Sequence, residues 1–168
     1  MKKIILLISL SLIIPSFISA QNKKAERDSL AMVLFNKAVK AIDDKDFVIV
    51  VDTYQDADGT FTNNTDLAVF MSYEKEFILL QGSLITNNSY TNKLTVYEYN
   101  QSTDKKGNIN VTMQTKGFYI NAKIEISLRK GNNNADVIIT PTRGEVKRFS
   151  GKLVPTAESN YFKRAGYV

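Results

Sequence analysis

The sequence contains no cysteine, no histidine and no tryptophan, and only three prolines in 168 residues. Each absence closes off chemistry. Without thiol or imidazole there is no disulfide framework, no Cys-His or Ser-His-Asp nucleophile, no zinc site built on nitrogen or sulfur ligands, and no thiol-linked haem. Lipid attachment through a cysteine is excluded for the same reason. A Gly-rich phosphate-cradling loop is also missing, which argues against nucleotide chemistry. Long apolar runs are absent save one: Ile4 to Phe17, preceded by Lys2 and Lys3 and followed by Ile18-Ser19-Ala20. That order of charge, apolar run and small residues reads as a secretory signal peptide over residues 1–20. The run is shorter than the roughly 20 residues needed to cross a bilayer, and Pro15 interrupts its end. The expectation is an exported chain, periplasmic or secreted, with no membrane span after signal cleavage and no partner among nucleic acids.

With no disulfide to staple it, the remaining chain, read as a single domain over residues 21–168, must be held by a core. A domain of that length can bury roughly 70 percent of its unfolded surface, which suffices. The 22 lysines and arginines exceed the 17 acids, and the excess is concentrated late: from Arg129 onward eight basic residues stand against Asp136, Glu145 and Glu158. For an exported chain a basic end suits an anionic lipid, an acidic glycan or a protein, or serves solubility.

What is present is mostly strand. Phe118 to Arg129 alternates without a break, with Phe118, Ile120, Ala122, Ile124, Ile126 and Leu128 on one parity and polar residues on the other. This predicts a long, half-buried central strand. Ile109, Val111 and Met113 alternate before it, Val137 to Ile139 follow it, and Phe149, Gly151 and Leu153 share a parity in the last segment. Together they predict a four-stranded meander. Earlier, Phe47 to Val51 is a dense β-branched run that suggests a strand buried on both faces or covered by the N-terminal helix, and Leu67 to Met71 with Phe77 to Leu80 reads as a hairpin around Tyr73-Glu74-Lys75. Gln55 to Asn64 and Ser83 to Lys93 read as loops, and Leu94 to Tyr99 as a strand. One amphipathic helix is expected over about residues 25–42, with Leu30, Val33, Leu34, Ala38, Ala41 and Ile42 as its apolar positions, and Gln21 to Lys24 frayed before it. The fold class is α+β, mainly β: a bent antiparallel sheet or open barrel of about eight strands with one N-terminal helix.

The order of these signals resembles a family. An acidic turn into Asp46-Phe47-Val48-Ile49-Val50, a Lys-Lys-Gly turn into a meander, and the closing Arg148-Phe149-Ser150-Gly151-Lys152-Leu153-Val154-Pro155 are similar to the exported Bacteroides-type domain of unknown function 4251. The similarity spans about residues 46–155. It implies no activity and transfers no catalytic residue.

Candidate chemistry is therefore argued from residue types alone. Paired carboxylates would serve a glycosidase, and Asp52, Asp56, Asp58, Asp66, Glu74, Glu76 and Glu125 are the acids to weigh. Glu125 beside Lys123 and Ser127 on the wet strand face reads more simply as an ion-pair partner. Asp56-Ala57-Asp58-Gly59 fails as an EF-hand, because Tyr54 and Thr65 then occupy the first and twelfth positions. No catalytic residue, metal ligand or cofactor is assigned. Tyr97 and Tyr99, expected on one face, and Tyr119 on the polar side of the long strand are the candidate ligand-binding residues, since aromatic rings on a wet sheet combine stacking surface with a hydroxyl. The expected function is a non-enzymatic envelope module that binds a glycan, lipid or protein. The alternatives are a carboxylate-dependent hydrolase of envelope glycans and a carrier holding a small apolar ligand.

Overall fold

The computed structural model describes residues 14–168, with side chains described from Lys23 onward. The signal-peptide reading over residues 1–20 lies outside the described residues for its first thirteen and for all of its side chains. Helix α1 runs from Ile14 to Asp43. It begins earlier than the sequence suggested and takes in Gln21 to Lys24, because no Gly or Pro interrupts the stretch between Ser16 and Asp43. Among the described residues no helix is long and apolar enough to cross a membrane.

Ten strands follow: β1 (Asp46–Val50), β2 (Thr53–Gln55), β3 (Phe61–Asn63), β4 (Phe70–Glu74), β5 (Phe77–Gln81), β6 (Thr91–Thr103), β7 (Ile109–Gly117), β8 (Asn121–Leu128), β9 (Asn134–Pro141) and β10 (Lys147–Pro155). A short helix, α2 (Ser83–Thr86), lies between β5 and β6. All pairings are antiparallel, in the order β1-β4-β5-β6-β7-β8-β9-β10, and β10 returns to β1 through Phe47 opposite Pro155, Val48 opposite Val154 and Ile49 opposite Leu153. The sheet is therefore a closed eight-stranded barrel, with β2 and β3 appended as an extra hairpin beside β10. Closure removes most of the unpaired backbone that an open sheet would expose.

The alternation expected for β7 to β10 is observed. Ile109, Val111 and Met113, then Ala122, Ile124, Ile126 and Leu128, then Ala135, Val137 and Ile139, then Phe149 and Leu153 all point inward and are buried. Phe47, Ile49, Met71, Ile78, Leu80 and Leu94 meet them from the other side of the barrel. An eight-stranded barrel is just wide enough for such side chains to fill it.

The long strand begins later than expected. Gly117 to Ile120 is the β7–β8 turn, closed by the Gly117 N–H donating to the Ile120 carbonyl at 2.9 Å, so Phe118 and Tyr119 sit at its exposed tip. The Gln55 to Asn64 loop is likewise a hairpin. β2 and β3 pair across an Asp58-Gly59 turn in which the Thr60 N–H donates to the Asp58 carboxylate at 2.9 Å. That bond holds the Asp58 carboxyl below the usual carboxylate range. Strands this short and polar give no periodicity to read.

The helix docks by its last turns. Phe35, Ala38, Ala41 and Ile42 are buried against the barrel, whereas Leu30, Val33 and Leu34, read above as docking positions, are exposed. The apolar positions continue at steps of three and four along the helix, but only those near Asp43 reach the barrel end. β1, β4 and β5 are buried on their outer face as well, where Val48, Phe70 and Leu79 form a second cluster against Val50, Val154 and Tyr161. The C-terminal segment from Ser159 to Val168 lies over that face.

Candidate functional site

At the barrel end opposite α1, three loops converge on the mouth. The first leaves β5 at Gly82, whose φ of 107° and 2.9 Å approach of a notional Cβ to Val69 admit only glycine. The chain then crosses the opening as α2, burying Ile85 and Thr86, and stops at Asn87 in the left-handed conformation. Asn88 and Asn92 brace the return into β6. The Asn88 carboxamide oxygen accepts from the Tyr90 N–H and from the Asn92 side chain, each at 3.0 Å, and the buried Asn92 also donates to the Tyr90 carbonyl. Tyr90 is thus held from its own backbone.

The second loop is the β7–β8 turn. Its Tyr119 ring stacks on Tyr90 with centroids 6.3 Å apart and planes 16° from parallel, and Phe118 meets Tyr119 edge-on at 4.8 Å. All three rings are more than half exposed. A cluster of three aromatic rings held in place while facing water is unusual for strand or turn packing alone.

The third loop joins β9 to β10. Pro141 ends β9, and the chain passes through Arg143, Gly144 and Glu145 before Lys147 starts β10. Arg143 makes no side-chain hydrogen bond or ion pair among the described residues, whereas the Lys147 ammonium lies 3.3 Å from the Glu145 carboxylate. Between the three loops is a cleft of about 610 Å³, floored by Ile85, Ile120 and Ile139. Its walls carry the Asn87 and Asn121 amides and the charged groups of the third loop, and Tyr119 forms its rim. This volume is in the roughly 300–1,000 Å³ range of small-molecule sites, and barrel mouths are a common place for them.

Of the three tyrosines singled out by sequence, only Tyr119 belongs here. Tyr97 and Tyr99 do not share a face, because β6 carries a bulge between Val96 and Glu98 that leaves Tyr97 without a partner and reverses the parity beyond it. Tyr97 points outward and is 69% exposed. Tyr99, opposite Met113, points inward; its ring centroid is 6.2 Å from that of Tyr73, and the Lys45 ammonium sits 4.7 Å above it. Burial pushes the Tyr99 hydroxyl from the usual 10.0 to about 12, with the nearby Tyr73 and Asp43 adding to the shift. The fold favours the protonated ring, so this contribution is complete below pH 10 and is lost as the pH climbs from 10.0 toward 12. Denaturant midpoints are expected to fall over that interval, and Tyr99→Phe should shallow the fall; an unchanged slope would place Tyr99 in water.

The acids do not converge. Glu125 accepts from Lys123 on its own strand at 2.8 Å, and Glu74 pairs with Lys163 at 2.7 Å. Asp56, Asp58 and Asp66 hold local turns, and among the described residues no three acids gather to hold a metal ion. The residues missed by sequence reasoning are Tyr90, Asn87, Arg143 and Lys147. A signal existed in Tyr90 and in Gly117-Phe118-Tyr119, where glycine before two aromatics marks a turn displaying rings.

No curated protein matches the chain. The crystal structure of a DUF4251 family protein from Bacteroides eggerthii superimposes with a TM-score of 0.69 at 28% identity, covering 79% of this chain and 95% of that one. The model of the family described as domain of unknown function DUF4251 matches residues 30–153, which takes in α1 from Leu30, the barrel up to Leu153 in β10, and the three mouth loops. The chain therefore belongs to the DUF4251 family, as Asp46 to Val50 and Arg148 to Pro155 suggested.

Proposed function

We propose that this protein is an exported, non-enzymatic binding module of the bacterial cell envelope that takes a saccharide at the barrel mouth. The observation that carries the reading is the exposed Tyr119 ring, backed by Tyr90, on the rim of a cleft whose walls offer amide and cationic donors. A sugar ring presents an apolar face of C–H groups to an aromatic ring and hydroxyls around its edge. A platform beside hydrogen-bonding side chains satisfies both. Export rests on the basic and apolar leader from Lys2 to Phe17.

Two features favour binding over hydrolysis or internal carriage. Glu145 is the single carboxylate that lines the cleft, while glycoside hydrolysis needs two acids at a fixed separation. The barrel interior is occupied by its own side chains, Phe47, Met71, Met113 and Ile124 among them, which leaves an apolar cargo the mouth rather than the lumen.

The test is a titration of purified mature protein against a panel of envelope-type oligosaccharides by calorimetry or ligand-observed NMR. Tyr119→Ser is expected to weaken binding about tenfold, roughly 1.4 kcal/mol, and Tyr90→Ser, which removes only the ring that backs Tyr119, by less. Their unfolding midpoints should stay close to that of the parent, because both rings are exposed. Tyr97→Ser, outside the cleft, should leave affinity unchanged. Equal affinity across all three variants, or no saccharide bound by the parent, would remove the reading.

A further inference from the structure

The charges in the cleft are not balanced. Lys147 and Glu145 answer one another at 3.3 Å, with the Lys147 side chain largely covered and that of Glu145 turned to solvent. Arg143 has no such answer: among the described residues its guanidinium donates to no carboxylate and to no carbonyl, yet it lines the same cleft as Tyr119. An arginine on a free loop would ordinarily be solvated. This one lines a concavity floored by three isoleucines, so that a ligand seated there would displace water and strengthen a charge-assisted hydrogen bond to it.

We propose that the cleft selects an acidic saccharide: a sugar ring lies on Tyr119, and a carboxylate on that sugar or its neighbour is held by the Arg143 fork. This rests on the saccharide reading above and narrows it to uronate-type units. The planar guanidinium offers two parallel N–H groups matched to a carboxylate, and the cleft's net charge of one positive, two cations against Glu145, suits a monoanion. A phosphate, carrying close to two negative charges, would meet repulsion from Glu145 as well as attraction from Arg143. Asn121 and Asn87 supply amides for the ring hydroxyls, the first using its oxygen already as an acceptor from the Gly117 N–H at 3.2 Å.

The experiment compares three probes on the full mature chain: uronic acid di- and trisaccharides, their methyl esters, and the corresponding sugar phosphates. The esters keep the ring and remove the charge. The acids are expected to bind at least tenfold tighter than the esters, with an advantage that shrinks as salt is added. Arg143→Gln should bring the acids down to the level of the esters, while the esters, which keep only a neutral carbonyl for Arg143 to meet, lose much less. Arg143→Lys should restore only part of the difference, because it returns the charge without the fork. Arg143 is exposed, so the variants should unfold at the parent midpoint. If acids and esters bind alike and Arg143→Gln changes neither, the acidic specificity is wrong while the saccharide reading stands. If phosphates bind and acids do not, the carboxylate assignment is overturned. If no probe binds, both proposals fall together, and a peptide or lipid takes the place of the sugar.

Discussion

Gly151→Ala is expected to lower stability by about 4 kcal/mol or more and to leave much of the expressed protein insoluble. Gly151 sits in β10 opposite Ala135 of β9, where its other side faces the point at which β1 ends and the chain steps over to β2. A Cβ built on it would lie 2.0 Å from the Val50 carbonyl oxygen and 3.1 Å from an Ile49 methyl. Carbonyl and Cβ cannot share that space, and the obstruction is backbone rather than a side chain that could rotate away. Overpacking usually costs about 1 to 3 kcal/mol where side chains can shift. Here the strand must move, and the β1–β10 pairing that closes the barrel, together with the Asp52 N–H bond to the Ser150 carbonyl at 2.9 Å, moves with it. The control is Gly131→Ala. That turn glycine has φ of 85° but no atom near a notional Cβ, so it should cost only the roughly 1 kcal/mol of a left-handed alanine. Urea unfolding of the two variants separates a blocked closure from ordinary glycine strain; equal, small losses in both would mean that β10 yields at Gly151.

Closure was the part of the fold that no local pattern could announce. The β7–β10 meander was legible because each of its strands has one face in the lumen and one in water, so Ile109 to Met113 and Phe149 to Leu153 alternate in sequence. β1 and β5 were legible as dense apolar runs, since lumen and C-terminal segment cover them from both sides, whereas β4 starts at Phe70 rather than Leu67 and carries on through Tyr73 and Glu74, which read as the turn in sequence. The pairing of Phe47 with Pro155, in contrast, joins residues more than a hundred positions apart, and an open sheet would have the same alternation. The one residue that hinted at it was Gly151, a glycine within a strand, which often marks close approach of another backbone.

The site was less legible for the same reason. Tyr119 was found through its type, but its context was misread, because an apolar-polar alternation continued through a turn that Gly117 in fact begins. Tyr97 and Tyr99 were separated by a single-residue bulge, and one inserted residue reverses every side chain beyond it. Arg143, Tyr90 and Tyr119 come from three loops that meet only when the barrel is closed. Sequence distance hides their convergence, even where single residues such as Tyr119 stand out by type.

Removing residues 160–168 should destabilise the protein by about 3 to 5 kcal/mol, the second largest effect expected, and should expose a sticky patch on the barrel wall. This tail behaves as part of the sheet's cover. Tyr161 packs edge-on against Phe70 at 4.7 Å over the cluster of Val48, Phe70 and Leu79, the last three of which are almost wholly buried. The buried Gln81 ties the tail on through both ends of its amide, donating to the Phe162 carbonyl at 2.7 Å and accepting the Arg164 N–H at 2.8 Å. Lys163 closes on Glu74 at 2.7 Å, and Val168 exchanges backbone bonds with Thr91 and Lys93 at 3.0 and 2.9 Å. Truncation strips the apolar cluster and leaves the Gln81 amide nitrogen with only the Ala68 carbonyl to donate to. Dye binding to exposed apolar surface should rise in the truncated chain while far-UV dichroism still reports strands. Tyr161→Phe isolates the hydroxyl, which touches Glu74 only at 3.4 Å, and should cost under about 1 kcal/mol; Tyr161→Ala removes the ring and should recover about half of the truncation effect. Should the truncated chain unfold at the parent denaturant midpoint, the tail would be an ornament of the barrel, and the burial of Val48, Phe70 and Leu79 would need another cover.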